Sequence, residues 1–124
     1  MGADLGATAL SPDALRDGQI TAITDGARLR LTRDGISAQT LLARLDAIAL
    51  ATPRTKRLAG SPAEGRITWI TRSVLWGFPD YTTAEARPEG SATTLTVIAR
   101  HRFGHQDLGV NARRLQDWRA ALAP

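Results

Sequence analysis

The sequence predicts a two-layer α+β domain, a mainly antiparallel sheet of about five to six strands with two main helices packed on one face. Three observations carry this reading. Short runs alternate apolar and polar residues and are separated by turn residues, as strands of a half-buried sheet are. Two segments instead repeat apolar residues at helical spacing. The order along the chain is hairpin, helix, several strands, helix, which lets both helices cover one sheet face.

Each element has a local reason. Residues 1–18 form an N-terminal segment, flexible or with a short helix started by Ser11-Pro12-Asp13 and stopped by Gly18. The folded unit runs over 19–124. Strands at 19–24 and 27–32 flank Asp25-Gly26, a pair suited to the positive φ of a tight hairpin turn. On the second of these, Ala27, Leu29 and Leu31 share one face, and Arg28, Arg30 and Thr32 the other. Ser37 caps a helix over 38–51, with Leu41, Leu42, Leu45, Ile48 and Ala49 on one side and Pro53 as the stop. Further strands are expected near 55–59, 66–73, 80–87 and 93–102. The breaks are Gly60-Ser61-Pro62, Gly65, Gly77 with Pro79, and Pro88-Glu89-Gly90. A last helix over about 110–122 puts Leu115, Trp118 and Leu122 on one stripe, with Arg113, Arg114, Asp117 and Arg119 off it.

Composition narrows the chemistry. With 124 residues, 43% hydrophobic and 23% charged, the chain suits one ordinary globular domain and not a disordered one. The absence of cysteine removes disulfides, thiol nucleophiles, iron–sulfur clusters and thiolate zinc sites. No run approaches the roughly 18 apolar residues that span a bilayer. The start, Met1-Gly2-Ala3-Asp4, lacks the basic and apolar regions of a signal peptide. The net charge is +4. It is concentrated after residue 46, where 11 basic residues face 6 acids, against 5 and 6 before it. All basic residues but Lys56 are arginine, whose planar fork suits carboxylate and phosphate, although a composition bias toward arginine is the favoured explanation of the excess.

Several constellations invite a functional reading, each beside a plainer one. His101, His105 and Asp107 are metal-ligand types, but Gly104 breaks the chain between the histidines, so no metal site is expected and no cofactor is implied. The junction from Arg102 to Asn111 carries two glycines, Asp107 and Asn111 ahead of a helix. It could hold a phosphate or carboxylate with Arg102 and Arg113 or Arg114, but the favoured reading is structural, a helix cap from Asp107 or Asn111 together with an Arg–Asp pair. Arg54, Lys56, Arg57, Arg66 and Arg72 interleave with Trp69 and Trp76, a pattern compatible with single-stranded nucleic acid. Pro79 and Asp80 occupy positions unsuited to a stacking strand, so nucleic acid is not the expected partner and one or two buried tryptophans are. No Gly-x-Ser-x-Gly elbow is present, and no spacing pairs two carboxylates for acid–base work.

The combination of Thr52-Pro53-Arg54-Thr55-Lys56-Arg57-Leu58-Ala59-Gly60, Thr71-Arg72-Ser73, Trp76-Gly77-Phe78-Pro79-Asp80-Tyr81, Arg102-Phe103-Gly104 and Asp107-Leu108-Gly109-Val110-Asn111 resembles the bacterial domain-of-unknown-function 1499 family over about residues 38–122. The resemblance implies a small α+β domain, often behind a hydrophobic or lipoprotein-like leader, and no established activity. It maps the family's polar positions onto Arg72, Asp80, Arg102, Asp107 and Asn111, a candidate polar cluster without a catalytic role. His101 stands where the family commonly has serine, and His105 is not a family-typical position.

The expected function is a non-enzymatic ligand-binding or accessory domain of the bacterial cell envelope, taking a small anionic or amphipathic ligand. Its location is the envelope if a native leader was removed and the cytoplasm otherwise, with membrane association through that leader. The alternatives are an enzyme for a small phosphorylated or carboxylated metabolite, acting through Arg102 and Asp107, and a protein-interaction module that presents Trp69 or Trp76.

Overall fold

The computed structural model describes residues 18–74, 77–101 and 109–122. Six strands form one sheet: β1 (Gln19–Ile23), β2 (Gly26–Asp34), β3 (Thr55–Ser61), β4 (Arg66–Arg72), β5 (Pro79–Glu89) and β6 (Ala92–His101). The order across the sheet is β1-β2-β6-β5-β4-β3, and every pair is antiparallel. Two helices, α1 (Ala38–Ala51) and α2 (Val110–Leu122), contact the sheet and each other. The protein is therefore the α+β sheet-and-two-helix domain that its sequence pattern predicts. The short helix expected near 11–17 lies outside the described residues.

Alternation decides which face is covered. Ala27, Leu29 and Leu31 of β2, Ile67 and Trp69 of β4, Ala84 and Ala86 of β5, and Leu95, Val97 and Ala99 of β6 are buried. They meet Leu41, Leu42, Leu45 and Ala49 of α1 and Leu115 and Trp118 of α2 in one core. Each fully buried leucine or tryptophan contributes roughly 1.5–3 kcal/mol relative to exposure. Trp69 and Trp118 meet edge to face, with centroids 5.4 Å apart and planes at 81°. The opposite face, including Arg28, Arg30, Arg66, Arg72 and Arg100, is left to solvent.

Strand ends differ from expectation by a residue or two, and two differences have a clear cause. The first hairpin turns at Thr24-Asp25 rather than at Asp25-Gly26, because Gly26 already pairs with Ile23. Asp25 supplies the positive φ of 68°. Gly26 serves another purpose, since a Cβ there would lie 1.8 Å from the Ala99 carbonyl oxygen of the neighbouring strand. Similarly Gly60 and Ser61 belong to β3 instead of ending it. Gly60 has φ 85°, and a Cβ would lie 2.0 Å from the Arg66 carbonyl oxygen. The strand ends only where Pro62 begins a short 3₁₀ turn with Ser61 as its cap.

Two expectations for the tryptophans resolve differently. Trp69 is fully buried, so it cannot be an exposed partner anchor. It occupies an inward position of β4, and its Nε1 donates to Asp46 at 2.9 Å. Trp76 lies outside the described residues.

Candidate functional site

At the end of the sheet where β4 and β6 finish, the helix-facing positions turn from apolar to polar. Register aligns Thr55, Thr71, Asp80 and His101 in one row across β3, β4, β5 and β6. Thr55 Oγ1 and Thr71 Oγ1 lie 2.8 Å apart. Asp80 Oδ1 shares a hydrogen bond of 2.9 Å with His101 Nδ1. From above, Arg114 of α2 donates through Nη2 to Asp80 Oδ2 at 3.1 Å and through Nη1 to Asn111 Oδ1. Arg114 and Asp80 are about one-tenth exposed in their side chains. Arg114 thus turns inward, although the helical wheel set it off the apolar stripe. A buried carboxylate needs such a cation, since removing charge from water costs several kcal/mol unless the partner is close.

The polar positions named from sequence divide accordingly. Asp80 and Asn111 meet through Arg114, an arginine expected near Asn111 at the junction but not against Asp80. Asn111 does not cap α2, because the helix begins at Val110 and Asn111 is fully buried inside its first turn. Arg72 does not join them. It follows the inward Thr71, so its side chain lies on the open face, where Nη1 donates to the Gly77 carbonyl oxygen at 3.0 Å. Arg102 and Asp107 lie outside the described residues, as does His105. Among the described residues no cluster of metal-ligating side chains forms.

Beside this row a groove of about 580 Å³ opens between the C-terminal end of α1 and the outer side of α2. Its apolar walls come from Ile48, Ala51, Pro53, Val110, Trp118 and Ala121, and Thr71 and Arg114 belong to both row and groove. Trp118 is fixed there by Nε1 donating to Thr52 Oγ1 at 3.0 Å, and Thr52 Oγ1 donates to Ile48 O at 3.0 Å. Charge is supplied by Arg54 and Arg113, opposed by Asp117 on the same helix as Arg113. Arg54 holds a left-handed backbone, φ 58°, at a cost of roughly 1–2 kcal/mol for a side chain with a Cβ. Two bonds to β4 keep it so. Its carbonyl accepts from Arg72 N at 3.1 Å and its Nε donates to Arg72 O at 3.1 Å. A locked Pro53-Arg54 turn therefore carries a guanidinium at the rim, with its terminal nitrogens in no ion pair among the described residues.

A second charged contact lies behind the core. Asp46 of α1 accepts from Arg57 Nε at 3.2 Å, from Arg57 Nη2, and from Trp69 Nε1. Burial pushes the Asp46 carboxyl up, but the hydrogen bonds from Arg57 and Trp69 and the charge of Arg57 hold it below the ordinary aspartate value. This triad ties α1 to β3 and β4, and none of its three members lines the groove, so its role is architectural.

The sequence model of the DUF1499 family, described as a protein of unknown function, matches residues 12–122. No curated protein matches the chain.

Proposed function

The chain belongs to the DUF1499 family, and from that premise we propose that it is a non-enzymatic binding domain whose inter-helix groove takes a small amphipathic anion. The observation that carries the reading is the groove itself. Its volume falls within the range of small-molecule sites, its walls are mainly apolar, and two arginines stand at its rim. An apolar tail would lie against Ile48, Trp118 and Ala121, while a carboxylate or phosphate head would meet Arg54 and Arg113. A setting at the bacterial cell envelope is supported by the family resemblance, and fractionation of host cells checks it.

Calorimetric titration with dodecyl phosphate tests the binding reading. Binding should be micromolar, whereas inorganic phosphate and dodecanol, each offering half of the recognition, should bind at least about tenfold more weakly. Arg54→Gln with Arg113→Gln should weaken dodecyl phosphate binding about tenfold. Absence of heat or competition at millimolar ligand would sink the proposal.

The enzymatic alternative has one observation in its favour, the Asp80–His101 pair, because a carboxylate on Nδ1 orients an imidazole for acid–base work. The imidazole side chain is only 15% exposed, and the carboxylate is shared with Arg114. Both features favour a lock between β5, β6 and α2 over a base that reaches a substrate.

A further inference from the structure

The connection between β4 and β5 carries exposed apolar side chains on a fixed frame. Val74 is 77% exposed and Phe78 51% exposed. The backbone beneath them is closed by several bonds: Ser73 N donates to Phe78 O at 2.9 Å, Phe78 N to Ser73 Oγ at 3.0 Å, and Gly77 N to Ser73 O at 3.1 Å. Arg72 Nη1 adds its bond to Gly77 O. The tip is thus built to hold its ends in place while large apolar groups face water, an arrangement that costs free energy in the isolated domain.

The charge on the open face beside this connection is mainly positive. On the open sheet face, register sets Arg100, Tyr81, Ile70 and Lys56 in a single row across β6, β5, β4 and β3, with Arg72 beyond it toward the tip and Arg28 one row behind. Arg28, Lys56, Arg72 and Arg100 are exposed. The carboxylates of that face, Asp34, Glu85 and Glu89, lie toward its opposite half. At this end of the sheet Asp80 is turned to the helix side and paired with Arg114, and Asp25 stands in the β1–β2 turn beside β6, where its carbonyl accepts from His101 N at 3.0 Å. Cations beside exposed apolar side chains complement a surface that is anionic outside and apolar a few ångströms within.

We propose that Val74, Phe78 and the basic row beside them dock the folded domain onto an anionic phospholipid surface. Val74 and Phe78 enter the headgroup–acyl boundary, and Lys56, Arg72 and Arg100 meet lipid phosphates. Single-stranded nucleic acid fits less well. It needs a run of stacking rings, and among the described residues this surface offers two, Phe78 at the connection and the half-buried Tyr81 in the row, while aliphatic Val74 has no ring to stack. The docking is independent of whether the groove holds a ligand, and it places the surface contact on the domain itself.

Vesicle flotation of the full chain tests it. Vesicles of phosphatidylcholine with about 30% phosphatidylglycerol should bind at least about tenfold more protein than phosphatidylcholine alone, with loss at high salt. Lys56→Gln with Arg100→Gln should weaken binding by more than about tenfold, from about fivefold per charge. Val74→Ser with Phe78→Ser should remove the fraction that survives high salt, while the thermal midpoint stays unchanged. If that double variant unfolds, Val74→Ser alone is read in its place. Equal binding to neutral and anionic vesicles, no vesicle binding, indifference to either pair of substitutions, or tighter retention by single-stranded RNA than by vesicles would each overturn the proposal.

Discussion

Asp46 shows how one side chain can hold several elements together. Its carboxylate satisfies the buried indole N–H of Trp69 and the Arg57 guanidinium at once. Asp46→Ala leaves the Trp69 donor buried without a partner, a penalty of about 1–3 kcal/mol, so a loss near the upper end is expected in chemical denaturation. The pH dependence has a definite sign. The folded carboxyl titrates below its unfolded value, so its contribution is complete above the unfolded pKa of about 4 and is lost as pH falls through the folded pKa. The acid limb of the stability curve should therefore flatten in Asp46→Asn relative to wild type. An unchanged limb would place the acid sensitivity elsewhere. Arg114 offers the parallel case in the polar row. Arg114→Leu leaves Asp80 buried without its cation and should destabilise by about 3–5 kcal/mol, whereas Asp80→Asn with Arg114→Leu should recover part of that loss. These residues were the hardest to read from sequence. Asp46 lies on a helix whose sequence pattern marks only the apolar side, and Arg114 lies off the apolar stripe of its own helix. Their partners stand 23 and 34 positions away, and no local periodicity encodes which distant carboxylate an arginine will meet.

Elements were far more legible, because their signals are local. Alternation gave the faces of β2 and β6, since a strand buried on one side must repeat every second residue. Ser37 gave the start of α1, where its Oγ accepts from Thr40 N at 3.1 Å. Glycine was misread where its purpose was not a turn. Gly26 and Gly60 sit inside strands because a neighbouring carbonyl approaches where a Cβ would be, and proximity across strands leaves no mark in the local sequence. Gly60→Ala makes the contrast measurable. It meets both a positive φ and the Arg66 carbonyl, so a loss of roughly 2 kcal/mol or more is expected in thermal unfolding. Gly35→Ala shares the positive φ, but nothing lies within 4 Å of its Cβ, so it should cost about 1 kcal/mol. Equal losses would show that backbone conformation, not close approach, sets the requirement at Gly60.

At the scale of the whole molecule, the two layers create a feature that no single segment contains. The groove takes its walls from the end of α1, the locked Pro53-Arg54 turn, the inward end of β4 and the outer side of α2. Sequence reading anticipated an anionic or amphipathic ligand from the arginine excess and the strand–helix junction, yet it gathered Arg72 into the same cluster as Asp80. Adjacent registers place the two on opposite faces, with Arg72 opposite Pro79 and Thr71 opposite Asp80. The arginines at the groove rim, Arg54 and Arg113, belong to separate segments of the sequence, and packing of α1 against α2 brings them together. Binding of an amphipathic anion in this groove is tested by an amide and methyl NMR titration of the labelled full chain with dodecyl phosphate. The predicted result is a saturable set of shifts centred on Ile48, Val110, Trp118 and Ala121, suppressed when Ala121→Trp fills the groove. Shifts centred on other surfaces, or shifts at the groove that persist unchanged in Ala121→Trp, would contradict it.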